Sequence, residues 1–399
     1  MDSIFDLDHL YRTYFKMALP SVFGLMVSVV YNLADTFFIA QSNDTALIAG
    51  VSLCAPVFTA LMAFGNIYGQ GGSSLISRLL GQDDREGTGR VSSFCFYVAL
   101  TTGVVLAALM MLFRVPLLGI LGATAETMPH AQAYYTVLAI GAPATVLNFI
   151  HSNLIRCEGM ATQSMIGSIG GTVINIILDP ILIFGLGWGV RGAAVATVLS
   201  QAVGACWILK FLTGPKTILK LRKEYLRVER GVILPVLGLG ISSFVMLSTE
   251  SLLSISFSSS LARYGGDIAV GAMTVITSVS QLCTLPIQGI CQGGQPVMSF
   301  NFGAGKKSRV KEAFHFQLLL CSCYTCLFWL LMMLAPGAVA GIFTSDTALI
   351  SYTTWSMRIY MAGIFAMGFQ IACQQSFMAL GQAKVSLLLA CLRKIILLI

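Results

Sequence analysis

The chain has 399 residues, 56% of them hydrophobic and only 10% charged, where an average soluble domain is about a quarter charged. That balance excludes a water-soluble globule, and a net charge of +7 carried by scattered loop Lys and Arg leaves no footprint for nucleic acid. The apolar stretches run to roughly 20 residues each, long enough to cross about 30 Å of hydrocarbon, and they are continuous rather than alternating with period 2. Helices satisfy their own backbone groups in lipid, so the expected class is an all-α polytopic membrane protein.

The first predicted span, 15–40, follows Tyr11, Arg12 and Lys16 and contains Pro20 and Asp35. It is too long for the apolar core of a cleaved signal peptide. Spans are expected next at 45–70, 91–113, 131–154, 162–184 and 191–212. A basic segment, 213–231, follows. Leu219, Leu221, Tyr225 and Leu226 among its Lys and Arg suit either a helix lying on an anionic leaflet or a plain solvated linker. Further spans are expected at 233–262, 268–296, 313–335 and 349–377, with an eleventh starting near 385 and cut off inside a helix at Ile399. Eighteen Lys and Arg collect on one face of this arrangement and four on the other, which places the N-terminus and the 213–231 segment in the cytoplasm.

The chain also repeats itself at a constant offset of 222 residues. Gln70-Gly71-Gly72 returns as Gln292-Gly293-Gly294, Ser77 as Ser299, Gly81 as Gly303, Gly119-Ile120 as Gly341-Ile342, and Gly141 as Gly363. Asn148 returns as Gln370, Gly159 as Gly381 and Ala161 as Ala383. Six spans separate the copies, so both run the same way through the membrane. The expected domains are an N-lobe over 1–212, a linker over 213–231 and a C-lobe over 232–399. Parallel repeats with a site between them are the common architecture of secondary transporters.

Acids at membrane depth are costly and mark function. Three qualify: Asp35 in the first span, Asp179 in the fifth and Glu250 in the seventh. Asn175 and Asp179 are four apart and share one helix face. Pro180 has no N–H and clashes with the carbonyl of Ile176, so it should free a carbonyl beside the acid as a ligand for a proton or Na⁺. The bland alternatives are helix ends near the outer surface for Asp35 and Asp179, and a packing hydrogen bond for Glu250. Tyr31 and neighbouring aromatics could face a cation. His151 reads as a satisfied histidine near a span end. Most of the eleven cysteines lie in apolar spans, where they pack as small residues. Cys323 and Cys326 lack the further ligands of a zinc site. The glycine-rich patches at Gly71 and Gly293 lack a phosphate-loop pattern, so ATP is not expected to drive the chain, and no cofactor is implied.

Taken together, Asn32-Leu33-Ala34-Asp35-Thr36-Phe37-Phe38, the doubled Gln-Gly-Gly patches, Cys157-Glu158-Gly159 beside Leu380-Gly381-Gln382, and Asn175 with Asp179-Pro180 resemble the multidrug and toxic compound extrusion (MATE) transporters, in their bacterial DinF-like branch. The resemblance implies twelve helices in two six-helix lobes forming a V, with this chain ending in helix 11. It implies a monomer in the bacterial inner membrane that exchanges organic, cationic amphipathic compounds for H⁺ or Na⁺. It further implies an ion site at Asp35, Asn175 and Asp179, with Asn148 and Thr197 as further members and Na⁺ an option at Asp35 and Asp179. Glu250 resembles a C-lobe ion ligand of another branch. The helix-10 acid of that branch is missing, and Gln370 and Gln374 stand in its region, which leaves Glu250 with Tyr31, Gln370 and Gln374 as a substrate or second proton site.

Three other readings remain. A flippase for lipid-linked precursors would want a cavity rich in Arg and Lys, whereas acids dominate here at membrane depth. A membrane-embedded enzyme would want convergent His, Ser or acid groups, and a passive channel is usually built from separate subunits.

Overall fold

The computed structural model describes residues 9–41, 45–214, 217–219, 221, 223–225 and 230–392. Among them every regular element is a helix. The helices are α1 (Leu10–Ala40), α2 (Thr45–Gly81), α3 (Arg85–Leu112), α4 (Arg114–Ile120), α5 (Met128–Cys157), α6 (Ala161–Pro180), α7 (Val190–Leu212), α8 (Arg230–Gly303), α9 (Lys307–Leu334), α10 (Pro336–Phe343), α11 (Thr347–Tyr360), α12 (Phe365–Ala379) and α13 (Ala383–Cys391).

Eight of these helical stretches are long and apolar enough to span a membrane by themselves. A ninth span is the pair α11 and α12, bent by 51° at Met361–Ile364, where the sequence led us to expect one straight span over 349–377. Gly363 sits in that turn and supports a helix poorly. The seventh expected span falls on the first arm of α8, which begins at Arg230. Gly266, with φ 67° and ψ −166°, breaks α8 into two arms. A side chain there would be strained, so glycine fits the break. The eleventh expected span begins at Ala383.

Two helices start on a side-chain cap. The Asp84 carboxylate accepts from the Gly87 N–H at 2.8 Å and starts α3, and Asp346 accepts from Ala348 N–H at 2.9 Å and starts α11. After Pro180 the helix passes into a π-turn over Ile181–Gly185, which is how the backbone absorbs the missing proline donor.

One apolar core gathers residues from Ile39 to Leu212 together with Leu219 and Val236, and a second gathers Val275 to Ala372. The first helix of each repeat crosses to the other. A methyl group at Gly71 would meet the Val236 carbonyl of α8 at 2.0 Å, and one at Gly293 would meet Ala18 of α1 at 2.4 Å. A methyl group at Gly81 would likewise meet the Phe300 carbonyl at 2.1 Å, and one at Gly303 that of Arg78 at 2.0 Å. All eight residues of these four contacts lie toward the ends of their helices nearest the Lys- and Arg-rich loops. Small residues let these backbones touch.

The basic linker is not a surface helix in its described part. Residues 217–219 and 221 are irregular, 223–225 form one 3-10 turn, and Leu219 is fully buried in the first core. Glu158 explains this. Its carboxylate accepts from the Ile218 and Leu219 N–H groups at 2.6 Å each and from the Thr217 hydroxyl at 2.8 Å, pinning the segment down.

Candidate ion and substrate site

Asp179 and Asn175 face inward from α6, both wholly buried, one turn apart. The Asn175 amide donates to Asp179 Oδ1 at 3.5 Å. Asp35 projects from α1 toward them, near enough for its charge to bear on Asp179. One turn before Asp35, the Tyr31 hydroxyl donates to Thr197 Oγ1 of α7 at 3.3 Å. The i, i+4 spacing on α1 and on α6 therefore aims two pairs of polar side chains at one point.

Tyr134 of α5 completes the group. It is buried, shares Thr197 as a partner and interacts with Asp35 and Tyr31. No sequence signal singles it out, since it is one aromatic among many and its partners are distant along the chain.

Three oxygens in this cluster are enclosed without a hydrogen-bond donor: Asp35 Oδ1, Asn175 Oδ1 and Asp179 Oδ2. Buried polar atoms are nearly always satisfied. Two carboxyl groups in an apolar surround are stabilised when a cation sits with them or a proton neutralises one. Among the described residues no three His, Cys, Asp or Glu gather into a metal-binding group, so a cation here would rely on Asn175, hydroxyl and backbone oxygens besides the two acids. That donor set is all oxygen, as H⁺ or Na⁺ wants.

Asn148 of α5 pairs with α7 near the cluster. Its amide donates to Gln201 at 2.6 Å, one turn beyond Thr197 on α7, and packs on Gly204. Gln370 and Gln374 are elsewhere, on α12. Gln370 donates to Gln374 at 2.7 Å, and Gln374 donates to the Met246 sulfur at 2.8 Å, joining α12 to the first arm of α8. The side chain of Glu250 lies outside the described residues. His151 is buried at the end of α5 nearest the linker, with Nδ1 on the Leu147 carbonyl at 3.0 Å.

A family model described as MatE matches residues 20–181 and again 242–399, two stretches whose starts differ by the 222 residues of the internal repeat. This chain belongs to the MatE family. The multidrug export protein MepA of Staphylococcus saprophyticus subsp. saprophyticus is 28% identical over 392 residues, covering 98% of this chain and 86% of the relative. An outward-facing multidrug resistance MATE family transporter of the MOP superfamily superposes with a TM-score of 0.90 at 26% identity, over 96% of this chain and 86% of that one. A MOP superfamily transporter from Pyrococcus furiosus, whose pocket of reverse polarity suggests a different function for it, superposes with a TM-score of 0.89 at 26% identity and the same coverage. As a MatE protein the chain is a multi-pass membrane transporter and not an enzyme.

Proposed function

We propose that this MatE protein is a secondary-active exporter of organic, cationic amphipathic compounds, driven by exchange for H⁺ or Na⁺. The observation that carries this reading is that Asp35, Asn175 and Asp179 each hold an enclosed oxygen without a hydrogen-bond donor. A cation or proton arriving there answers both carboxylates at once. Because Tyr31, Asp35, Asp179, Thr197 and Tyr134 come from four helices, its arrival changes how α1 sits against α5, α6 and α7. With the basic loops in the cytoplasm, the glycine contacts between the repeats close the cytoplasmic end, and drug leaves outward. Ion release then lets the lobes rock back. Glu250 is assigned a second proton or a substrate counter-charge. A single copy in the inner membrane suffices.

The energy is adequate. A potential of 100 mV provides about 2.3 kcal/mol per charge, and one pH unit adds about 1.4. One-for-one exchange of a cation against a proton is electroneutral and keeps only the pH part, which favours more than one ion per cycle and hence more than one acid.

The test is ethidium efflux from drug-efflux-deficient cells under an imposed pH or Na⁺ gradient, for the wild type and Asp35→Asn. Gradient-driven efflux that the substitution abolishes is the expected result. No efflux of any tested cation by a folded, inserted protein would overturn this reading in favour of a lipid flippase.

A further inference from the structure

Arg156 ends α5 at the basic end of the bundle, and its guanidinium turns into the seam between the repeats. Nη1 donates to Gln292 Oε1 of α8 at 2.6 Å, and Nη2 to Asn153 Oδ1 of its own helix. It is surrounded on nearly all sides yet keeps partial solvent access, so it lines the seam rather than the core. A second guanidinium, Arg78, donates from Nε to the Ser74 carbonyl at 3.3 Å and lies against Gly381. Gln70, the repeat equivalent of Gln292, presents a buried Oε1 without a hydrogen-bond partner.

Neither arginine meets a carboxylate among the described residues. The salt bridges found there are Arg85 with Asp83 and Arg90 with Glu86, both on the surface. Glu158, the acid nearest in sequence, lies two residues on and so points away from Arg156. Its oxygens accept from Thr217, Ile218 and Leu219 instead. Among the described residues the seam therefore holds two guanidiniums bridged by neutral carboxamide and carbonyl oxygens.

We propose that Arg156, supported by Arg78, is a cation-excluding seal at the closed end of the transporter. It keeps the coupling ion and cationic substrates from slipping between the lobes while the other end is open. A second positive charge about 6 Å away, at an effective dielectric of about 20, has its occupancy lowered about a hundred-fold. Fixed guanidiniums exclude protons and cations from narrow pores by the same physics. The proposal rests on the cation-exchange reading above, but its test does not need a drug.

The full chain would be reconstituted in proteoliposomes, with H⁺ entry followed by a trapped pH dye and Na⁺ uptake by ²²Na⁺, both without drug and at a clamped potential. We expect Arg156→Gln to raise the cation leak at least five-fold and Arg156→Lys to stay within two-fold of wild type. Gln292→Leu, which removes the bridge and keeps the charge, should also stay tight. Arg78→Gln should leak less than Arg156→Gln, and it serves as the test variant if the latter does not fold. Wild-type tightness in both neutral variants, or equal leakage from Arg156→Lys and Arg156→Gln, would overturn the seal. If wild type exports no tested cation while Arg156→Gln still leaks, the export reading fails and the seal stands.

Discussion

Ser73 and Gln295 are hydrogen-bonded at 3.2 Å, and they are one and the same position of the two repeats, 222 residues apart. Equivalent residues can touch only on the pseudo-twofold axis, so the axis runs between α2 and the second arm of α8 at this pair. The nearby glycine contacts obey it: Gly81 meets the carbonyl of Phe300, and Gly303 meets that of Arg78, the repeat equivalent of Phe300.

This symmetry makes a prediction about the seam. A methyl group at Gly303 would sit 2.0 Å from the Arg78 carbonyl and one at Gly81 would sit 2.1 Å from that of Phe300, and backbone cannot swing away as a side chain can. Gly303→Ala and Gly81→Ala should each cost about 1–3 kcal/mol of stability. Both should cut efflux at least ten-fold while the protein still inserts. Gly341→Ala, with nothing within 4 Å, is the control and should be silent in thermal melts and in efflux.

The acid cluster predicts a graded series. Asp35→Asn and Asp179→Asn each leave an amide in place of a charge, and each should lower gradient-driven ethidium efflux more than ten-fold. Drug binding to the purified protein should also lose its dependence on pH or Na⁺. Tyr134→Phe removes only a hydroxyl that shares Thr197 with Tyr31, so a three- to ten-fold loss with coupling retained is expected. Efflux by the Asp179→Asn protein equal to wild type would remove Asp179 from the ion site.

The sequence discloses the chemistry that acts through spacing and hides the chemistry that acts across helices. Asp35, Asn175 and Asp179 stand out because an acid in an apolar span is expensive and because i, i+4 neighbours share a face. The 222-residue repeat stands out because glycines recur in register. Tyr134 and the inward turn of Arg156 do not, since both depend on partners on other helices, Thr197 and Gln292. Asn148 enters the expected ion site through the family resemblance, and its bond to Gln201 of α7 is likewise invisible in the spacing. The linker reads as basic and amphipathic, yet three donors on one buried carboxylate decide its course, and no local pattern encodes that.

α1 is bolted to the opposite repeat at its first half. The Tyr14 hydroxyl donates to Gln317 Oε1 of α9 at 2.9 Å, and the same amide donates to the Ala372 carbonyl of α12 at 3.1 Å. All three residues are buried. Tyr14→Phe leaves the Gln317 oxygen without its donor and should cost about 1–3 kcal/mol. Gln317→Leu alone should be similarly costly, and the double variant should lose less than the sum. A thermal double-mutant cycle on the detergent-solubilised protein measures that coupling, and strict additivity would mean the bond carries no net stability.

Glu158 lies beyond the membrane-spanning part of α5, and its titration should show in stability. Burial pushes the carboxyl up from its ordinary 4.5, while hydrogen bonds from Thr217, Leu219 and Ile218 hold it part-way back. The folded protein therefore binds more proton at this site than the unfolded chain does, from the ordinary carboxylate range upward. By linkage that contribution favours folding at low pH and is lost as pH rises through the window between the two values. Glu158→Gln keeps an acceptor for the Ile218 and Leu219 N–H groups and a donor for Thr217, so the pH dependence should flatten while the linker stays docked. Glu158→Ala leaves the Ile218 N–H and the Thr217 hydroxyl without their acceptor, and leaves the Leu219 N–H only its 3.1 Å bond to Thr217 Oγ1, so it should cost roughly 2 kcal/mol or more. It should also expose the linker to proteolysis near Leu219. Melting temperature followed across the carboxylate range, with limited proteolysis alongside, reads both effects. A slope that persists unchanged in Glu158→Gln would place the titrating group elsewhere.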